Sequence, residues 1–151
     1  MEEQYSGLKV MVIDDSNTIR RTAETLLSKA GCEVITAIDG FDSLSKIADN
    51  IPSVIFVDIM MPRLDGYQTC ALIKNNSQFK HIPVIMLSSK DGLFDKAKGR
   101  IVGADDYLTK PFSKTELFEA LDRFSNSEAA DEVPESMDSP AGGTDGENID
   151  R

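Results

Sequence analysis

Asp58 closes the apolar run 54–57 and precedes Ile59-Met60-Met61-Pro62. A lone carboxylate at the mouth of a buried strand needs a reason to be there. Other chemistry-bearing residues stand at comparable places. Asp14 and Asp15 follow the run 9–13, Ser88 follows 84–87, and Lys110-Pro111 follows 106–109. If these ends meet, three acids, a hydroxyl and one base share a site. Clustered carboxylates repel one another and raise their pKa values. A hard divalent cation removes that penalty, and Mg2+ takes oxygen ligands such as Asp14, Asp15 and Asp58. A carboxylate can also attack phosphorus and become an acyl phosphate. The metal and the Lys110 ammonium would stabilise the phosphoryl oxygens as charge moves. The peptide bond before Pro111 is a candidate for the cis form, which would aim Lys110. The Ser88 hydroxyl can hydrogen-bond the new group. This is the composition of a magnesium-dependent phosphoacceptor.

Each residue alone has a simpler reading. Asp14-Asp15 can be a helix-capping turn, Asp58 can cap a loop before Pro62, and Ser88-Ser89 can cap a following helix. Tyr107 alone reads as a half-buried strand aromatic. The joint occurrence at successive strand ends is what is specific.

The elements that would position these residues alternate between strand and helix with short links. Strands are expected at 8–13, 34–37, 53–57, 84–87 and 106–109. Ser16 is an expected N-cap for a first helix with Ile19, Ala23, Leu26 and Ala30 inward and Gly31 as its stop. A second helix is expected over 41–49 with Leu44, Ile47 and Ala48 inward. A third starts near Asp65-Gly66-Tyr67 and ends near Asn75. The segment 91–102 reads as a fourth helix, capped by Asp91 and weakened by Gly92 and Gly99. A fifth starts at Ser113 with Glu116 as a capping box, and Leu117, Leu121 and Phe124 form its buried stripe. Five such units predict an α/β fold, a (βα)5 doubly wound five-stranded parallel sheet of order 2-1-3-4-5, flavodoxin-like. In such sheets the site lies beyond the carboxyl ends of strands one and three. That rule gathers Asp14, Asp15 and Asp58, with Ser88 and Lys110 beside them.

Bulk properties narrow the function. The 151 residues suit one domain with a real core. No apolar run approaches the ~20 residues that span a bilayer, so no membrane insertion is expected. The first residues are acidic and lack an apolar signal core, which predicts a cytoplasmic protein. Cys32 and Cys70 are far apart and read as reduced apolar residues. The net charge is −10, and the stretch 125–151 carries −7 of it with eight acids and one base. The remainder is close to balance, which offers no basic stripe for nucleic acid. Residues 1–7 read as an N-terminal arm and 8–124 as the folded domain. Residues 125–151 read as an acidic disordered tail with too little apolar area to offset ordering entropy.

The chain resembles the receiver domain of two-component response regulators, a CheY-like fold, over about 8–124. The matching residues are Asp14-Asp15, Asp58 with Met61-Pro62 and Asp65-Gly66, Ser88, and Lys110-Pro111-Phe112. Stretches 58–69 and 88–96 further resemble the regulators of bacterial type IV pilus chemotaxis systems. The resemblance implies that Asp58 is the phosphoacceptor and that Asp14 and Asp15 hold Mg2+, with the Met60 backbone carbonyl as a further ligand. It implies that Lys110 and Ser88 contact the phosphoryl group. It gives Tyr107 the place of the switch aromatic, which turns inward as Ser88 moves to the phosphate. The output face would comprise helix four, strand five and helix five. The implied partners are a CheA-like histidine kinase or its phosphotransfer domain upstream and a pilus-associated signalling or motor protein downstream, with the chain a monomer. The protein would not be an enzyme beyond self-phosphorylation and slow self-dephosphorylation. Apolar Met60 would shield the acyl phosphate, and Lys90 would order no base for attacking water. A phosphate-sink receiver draining a shared kinase is the alternative. An aspartate-nucleophile phosphatase fits less well, because the general acid two residues past the nucleophile is replaced by Met60.

Overall fold

The computed structural model describes residues 5–89 and 96–125. Its strands are β1 (Lys9–Ile13), β2 (Glu33–Ala37), β3 (Val54–Asp58), β4 (Val84–Ser89) and β5 (Asp106–Lys110). Its helices are α1 (Asn17–Lys29), α2 (Gly40–Ile47), α3 (Gly66–Lys74), α4 (Lys96–Val102) and α5 (Lys114–Ser125). The strands pair in parallel in the order β2-β1-β3-β4-β5. The expected doubly wound sheet is therefore the observed one, with its switch point between β1 and β3.

The apolar runs become central strands because both sheet faces are covered. Every residue of β3 is buried, as are Val10 to Ile13 of β1 and Val84 to Ser88 of β4. Alternation divides their side chains between two layers. Met11, Ile13, Ile55, Val57, Val84 and Met86 cluster with Ile47 of α2 and with Cys70 and Ile73 of α3. Val10, Val12, Phe56, Ile85 and Leu87 face the other way, toward the layer left to α1 and α5. On the edge strands only Ala37 and Leu108 are buried.

Local chemistry starts and stops the helices much as expected. Ser16 caps α1, its hydroxyl accepting the Ile19 N–H at 3.3 Å. Gly31 ends the segment at φ 96°, a conformation that costs glycine little. Ser113 and Glu116 exchange capping bonds of 2.9 and 3.0 Å. Asp65 and Gln68 form a second capping box at α3. Four expectations are corrected. Leu27, not Leu26, is the fully buried leucine of α1. Ala48 follows α2 as its exposed C-cap rather than pointing inward. Phe124 is only half-buried. β4 and β5 run on to Ser89 and Lys110, because Ser88 pairs with Thr109 and Ser89 with Lys110. Asp91, Gly92 and Lys90 lie outside the described residues.

Met1–Leu121 is one unit, and of the second, Asp122–Arg151, only the end of α5 is described. The expected tail thus lies almost wholly outside the described residues. Of the expected arm, Tyr5 is buried, donates its N–H to the Ala30 carbonyl at 3.0 Å and stacks on Phe118 at 5.5 Å. Among the described residues no helix is long and apolar enough to cross a membrane.

Candidate functional site

The register of the central strands sets the site. Ile13 pairs with Val57 and Asp58 with Leu87, so Asp14 comes level with Asp58 at the switch point. One oxygen from each of Asp14, Asp15 and Asp58 lies within 4.8 Å of the others. Asp14 is fully buried and Asp58 is 3% exposed, whereas Asp15 faces solvent. Lys110 reaches them from the end of β5. Its Nζ stands 3.1 Å from Asp14 Oδ2 and 3.1 Å from Asp58 Oδ1. The Lys110–Pro111 bond is cis.

The electrostatics follow from burial. Burial, and next the Asp14 charge, push the Asp58 carboxyl up to about 6, against Lys110 and the Met60 N–H, which favour its ionised form. Burial alone would lower the Lys110 pKa, but Asp14 and Asp58 outweigh it and hold the ammonium above its ordinary range. Lys110 therefore stays charged at neutral pH. Once ionised, three carboxylates face one ammonium, and two negative charges are left for a divalent cation to balance. The donor set suits Mg2+ as well, being all carboxylate oxygen. At about 2.1 Å per bond, octahedral ligands lie about 3.0 to 4.2 Å apart. The carboxylates need only a small contraction to reach that spacing.

The remaining expected residues are placed as follows. Ser88 is buried at the end of β4, and its hydroxyl donates to the Ser89 carbonyl at 3.2 Å, along its own strand. Met60 donates its N–H to Asp58 Oδ1 at 3.3 Å while its side chain is 72% exposed. Tyr107 lies apart from the acids, paired with Met86 in the sheet and 38% exposed. Asp14 also serves its simpler role, since its Oδ1 accepts the Ser16 N–H at 2.9 Å.

Two supporting residues escaped the sequence. Arg20 donates to the Asp14 backbone carbonyl at 2.6 Å and to Asn17. Its guanidinium thus braces the first turn of α1 against the strand end. Arg63 sits at φ 67°, with the Leu64 N–H donating to the Pro62 carbonyl at 2.7 Å around it. Such a turn is strained for a non-glycine residue. Arg63 pairs with Asp39 at 2.6 Å and covers the Phe41 ring at 5.6 Å, fastening the loop after β3 to the N-terminus of α2. An exposed pair of this kind is worth at most ~1 kcal/mol, so its effect is on loop geometry. The Arg-Asp spacing carries no local signal that would reveal it.

Gly66 was legible as a helix start but not for its closest contact. A Cβ there would lie 2.3 Å from the Asp58 carbonyl oxygen and 2.7 Å from the Ile59 Cα. Both atoms belong to backbone, so α3 can sit against the end of β3 only without a side chain there. Gly66→Ala is expected to lower stability by about 2–3 kcal/mol. Urea unfolding checks this, and an unchanged midpoint would mean the loop has slack that the packing denies.

Comparison with known proteins bears on this arrangement. Residues 10–122 match the response regulator receiver domain. The chain is 82% identical to Protein PilG of Pseudomonas aeruginosa over 121 residues, which covers 80% of this chain and 90% of that protein. It is 44% identical over 109 residues to the probable transcriptional regulator ycf27 of Guillardia theta, covering 72% of this chain but 42% of that longer protein. Among solved structures, chemotaxis protein CheY4 of Vibrio cholerae matches with a TM-score of 0.74 at 36% identity, over 78% of this chain and 98% of that one.

Proposed function

The chain belongs to the response regulator receiver family, and from that premise we propose that it accepts a phosphoryl group on Asp58 from a histidine kinase. The observation that carries the reading is the acid cluster at the switch point, bridged by Lys110. Asp58 attacks phosphorus through a carboxylate oxygen as the bond from phosphorus to the donor's imidazole nitrogen breaks. Lys110, which holds Asp14 and Asp58 in the resting protein, follows the negative charge onto the phosphoryl oxygens. The Ser88 hydroxyl leaves the Ser89 carbonyl and donates to the same group. Asp14, Asp15, Asp58 and the Met60 carbonyl would hold Mg2+, which supplies charge neutralisation and alignment of the phosphoryl oxygens.

The output is a change in the face formed by α4, β5 and α5, with Tyr107 turning inward as Ser88 moves. Carrying such a switch from 1:99 to 99:1 takes ~5.5 kcal/mol. A phosphoryl dianion paired with Lys110, Ser88 and the metal is adequate to that demand. Met60 leaves no base or acid two residues past Asp58, which favours slow self-dephosphorylation over turnover.

The 82% identity to Protein PilG supports a place in a type IV pilus chemotaxis system. The donor would then be a CheA-like kinase or its phosphotransfer domain, and the receiver of the signal a pilus-associated signalling or motor protein controlling extension and twitching. The test is phosphoryl transfer from such a kinase, autophosphorylated and isolated. Rapid transfer to the wild-type chain with none to Asp58→Ala is expected. Transfer no faster than from an unrelated kinase would remove the pilus assignment.

A further inference from the structure

The resting position of the Tyr107 ring decides how readily the proposed signal leaves the site. That ring lies on the edge strand β5 and is 38% exposed. The Lys96 ammonium, from the first residue of α4, stands 5.3 Å from its centre. Beside the pair is a cavity of about 230 Å3 lined by Gly99, Arg100 and Ala104. Gly99 and Ala104 are the smallest of its lining residues, and the Tyr107 ring and the Lys96 side chain border the same space.

A second contact shows what the first can do. Lys98 places its ammonium 4.7 Å from the centre of the Tyr67 ring on α3. Residues two apart on a helix point to different sides. The short helix α4 is therefore tethered to α3 through Lys98 and to β5 through Lys96. Tyr67 is buried and belongs to the packed core, so the Lys98 contact anchors the helix. Tyr107 is half out of the fold, so the Lys96 contact anchors the ring.

We infer that Lys96 is a positioning residue whose ammonium holds Tyr107 outward in the unphosphorylated protein. The inference rests on the receiver-switch reading above. An inward turn must break the contact between the ammonium and the electron-rich ring face. The contact also works in reverse, since a shift of the first turn of α4 frees the ring. Arg100, Asp105 and Asp106 are the other charged residues that line the same cavity. The Asp106 carboxylate accepts the Tyr107 N–H at 2.8 Å, a contact to the strand backbone. At an exposed site, loss of such a contact changes an equilibrium by roughly two- to fivefold.

The test is the ring NMR signal of Tyr107, assigned with Tyr107→Phe. It is compared in wild type, Lys96→Met, Lys96→Arg and Lys98→Met, with and without Mg2+ and beryllofluoride, a mimic of an aspartyl phosphoryl group. In wild type the signal moves on adding beryllofluoride. In unliganded Lys96→Met it has already moved part of the way, and half-saturation needs about two- to fivefold less beryllofluoride. Lys96→Arg behaves as wild type, because a guanidinium also binds ring faces. Lys98→Met leaves the unliganded signal in place. An unliganded Lys96→Met signal at the wild-type position overturns the inference and leaves the phosphoacceptor reading standing. So does a Lys98→Met shift as large as that of Lys96→Met, which would mean general loosening of α4. A wild-type signal that beryllofluoride does not move overturns the switch reading and this inference together.

Discussion

Replacing Lys110 with methionine lowers the stability of the metal-free protein by about 3 kcal/mol at pH 8. Methionine keeps most of the length and removes the charge. Lys110 Nζ is 3.1 Å from both Asp14 and Asp58, and both carboxylates are nearly or fully out of water. The Arg20 guanidinium cannot replace it, because its bond goes to the Asp14 backbone carbonyl. Breaking a buried pair leaves an uncompensated charge, which is the expensive case. Lys46 gives the contrast. It pairs with Asp42 at 3.2 Å with 41% of its side chain exposed, so Lys46→Met should cost under about 1 kcal/mol. Urea unfolding in EDTA measures both. Millimolar Mg2+ should restore much of the Lys110→Met loss, because a second cation then faces the same acids. Equal stability of wild type and Lys110→Met in EDTA would mean that the acids are solvated after all.

The partner of that ion pair behaves in the opposite way. Asp58→Asn stabilises the metal-free protein by about 2–3 kcal/mol above pH 7. Burial and Asp14 raise the Asp58 carboxyl from 3.8 to about 6. Between those values the native state binds more protons than the unfolded one, so wild-type stability falls as pH rises through the window. The contribution is fully lost above about 6. Asparagine has no charge to lose, so the difference between variant and wild type opens from about pH 4 and levels off above 7. Unfolding midpoints at pH 4, 6 and 8 in EDTA test it. An Asn variant that is no more stable at pH 8 would contradict the raised carboxyl. Two substitutions at the ends of one 3.1 Å contact with opposite signs separate charge from packing, since a packing role would make both destabilising.

The fold was legible because its signals are local. Five apolar runs, the Ser16 cap, the Gly31 stop and the Ser113-Glu116 box each depend on a few neighbouring residues, and the strand order follows from the parallel architecture. The misreadings arose where a neighbouring element decides. Leu26 and Leu27 sit one helical step apart, and only packing against the sheet selects Leu27. Ala48 continues the apolar pattern of α2 but lies past its last hydrogen-bonded residue. Ser88 and Ser89 extend β4 through pairing with β5, not through any strand preference of serine. The acids and Lys110 were legible as strand-end residues, but their mutual distances and the charge imbalance are tertiary. So are the Arg63 clasp and the clearance that Gly66 provides beneath Asp58. The contact between Lys96 and Tyr107 joins residues eleven positions apart on two different elements, and no local pattern announces it.

The phosphoacceptor claim is tested most directly by intact-mass spectrometry after incubation with acetyl phosphate. Wild type and Asp58→Ala are compared in Mg2+ and in EDTA. One phosphoryl group is expected on wild type in Mg2+, little in EDTA, and none on Asp58→Ala in either. A phosphoryl group retained by Asp58→Ala, or full modification of wild type without divalent metal, would contradict it.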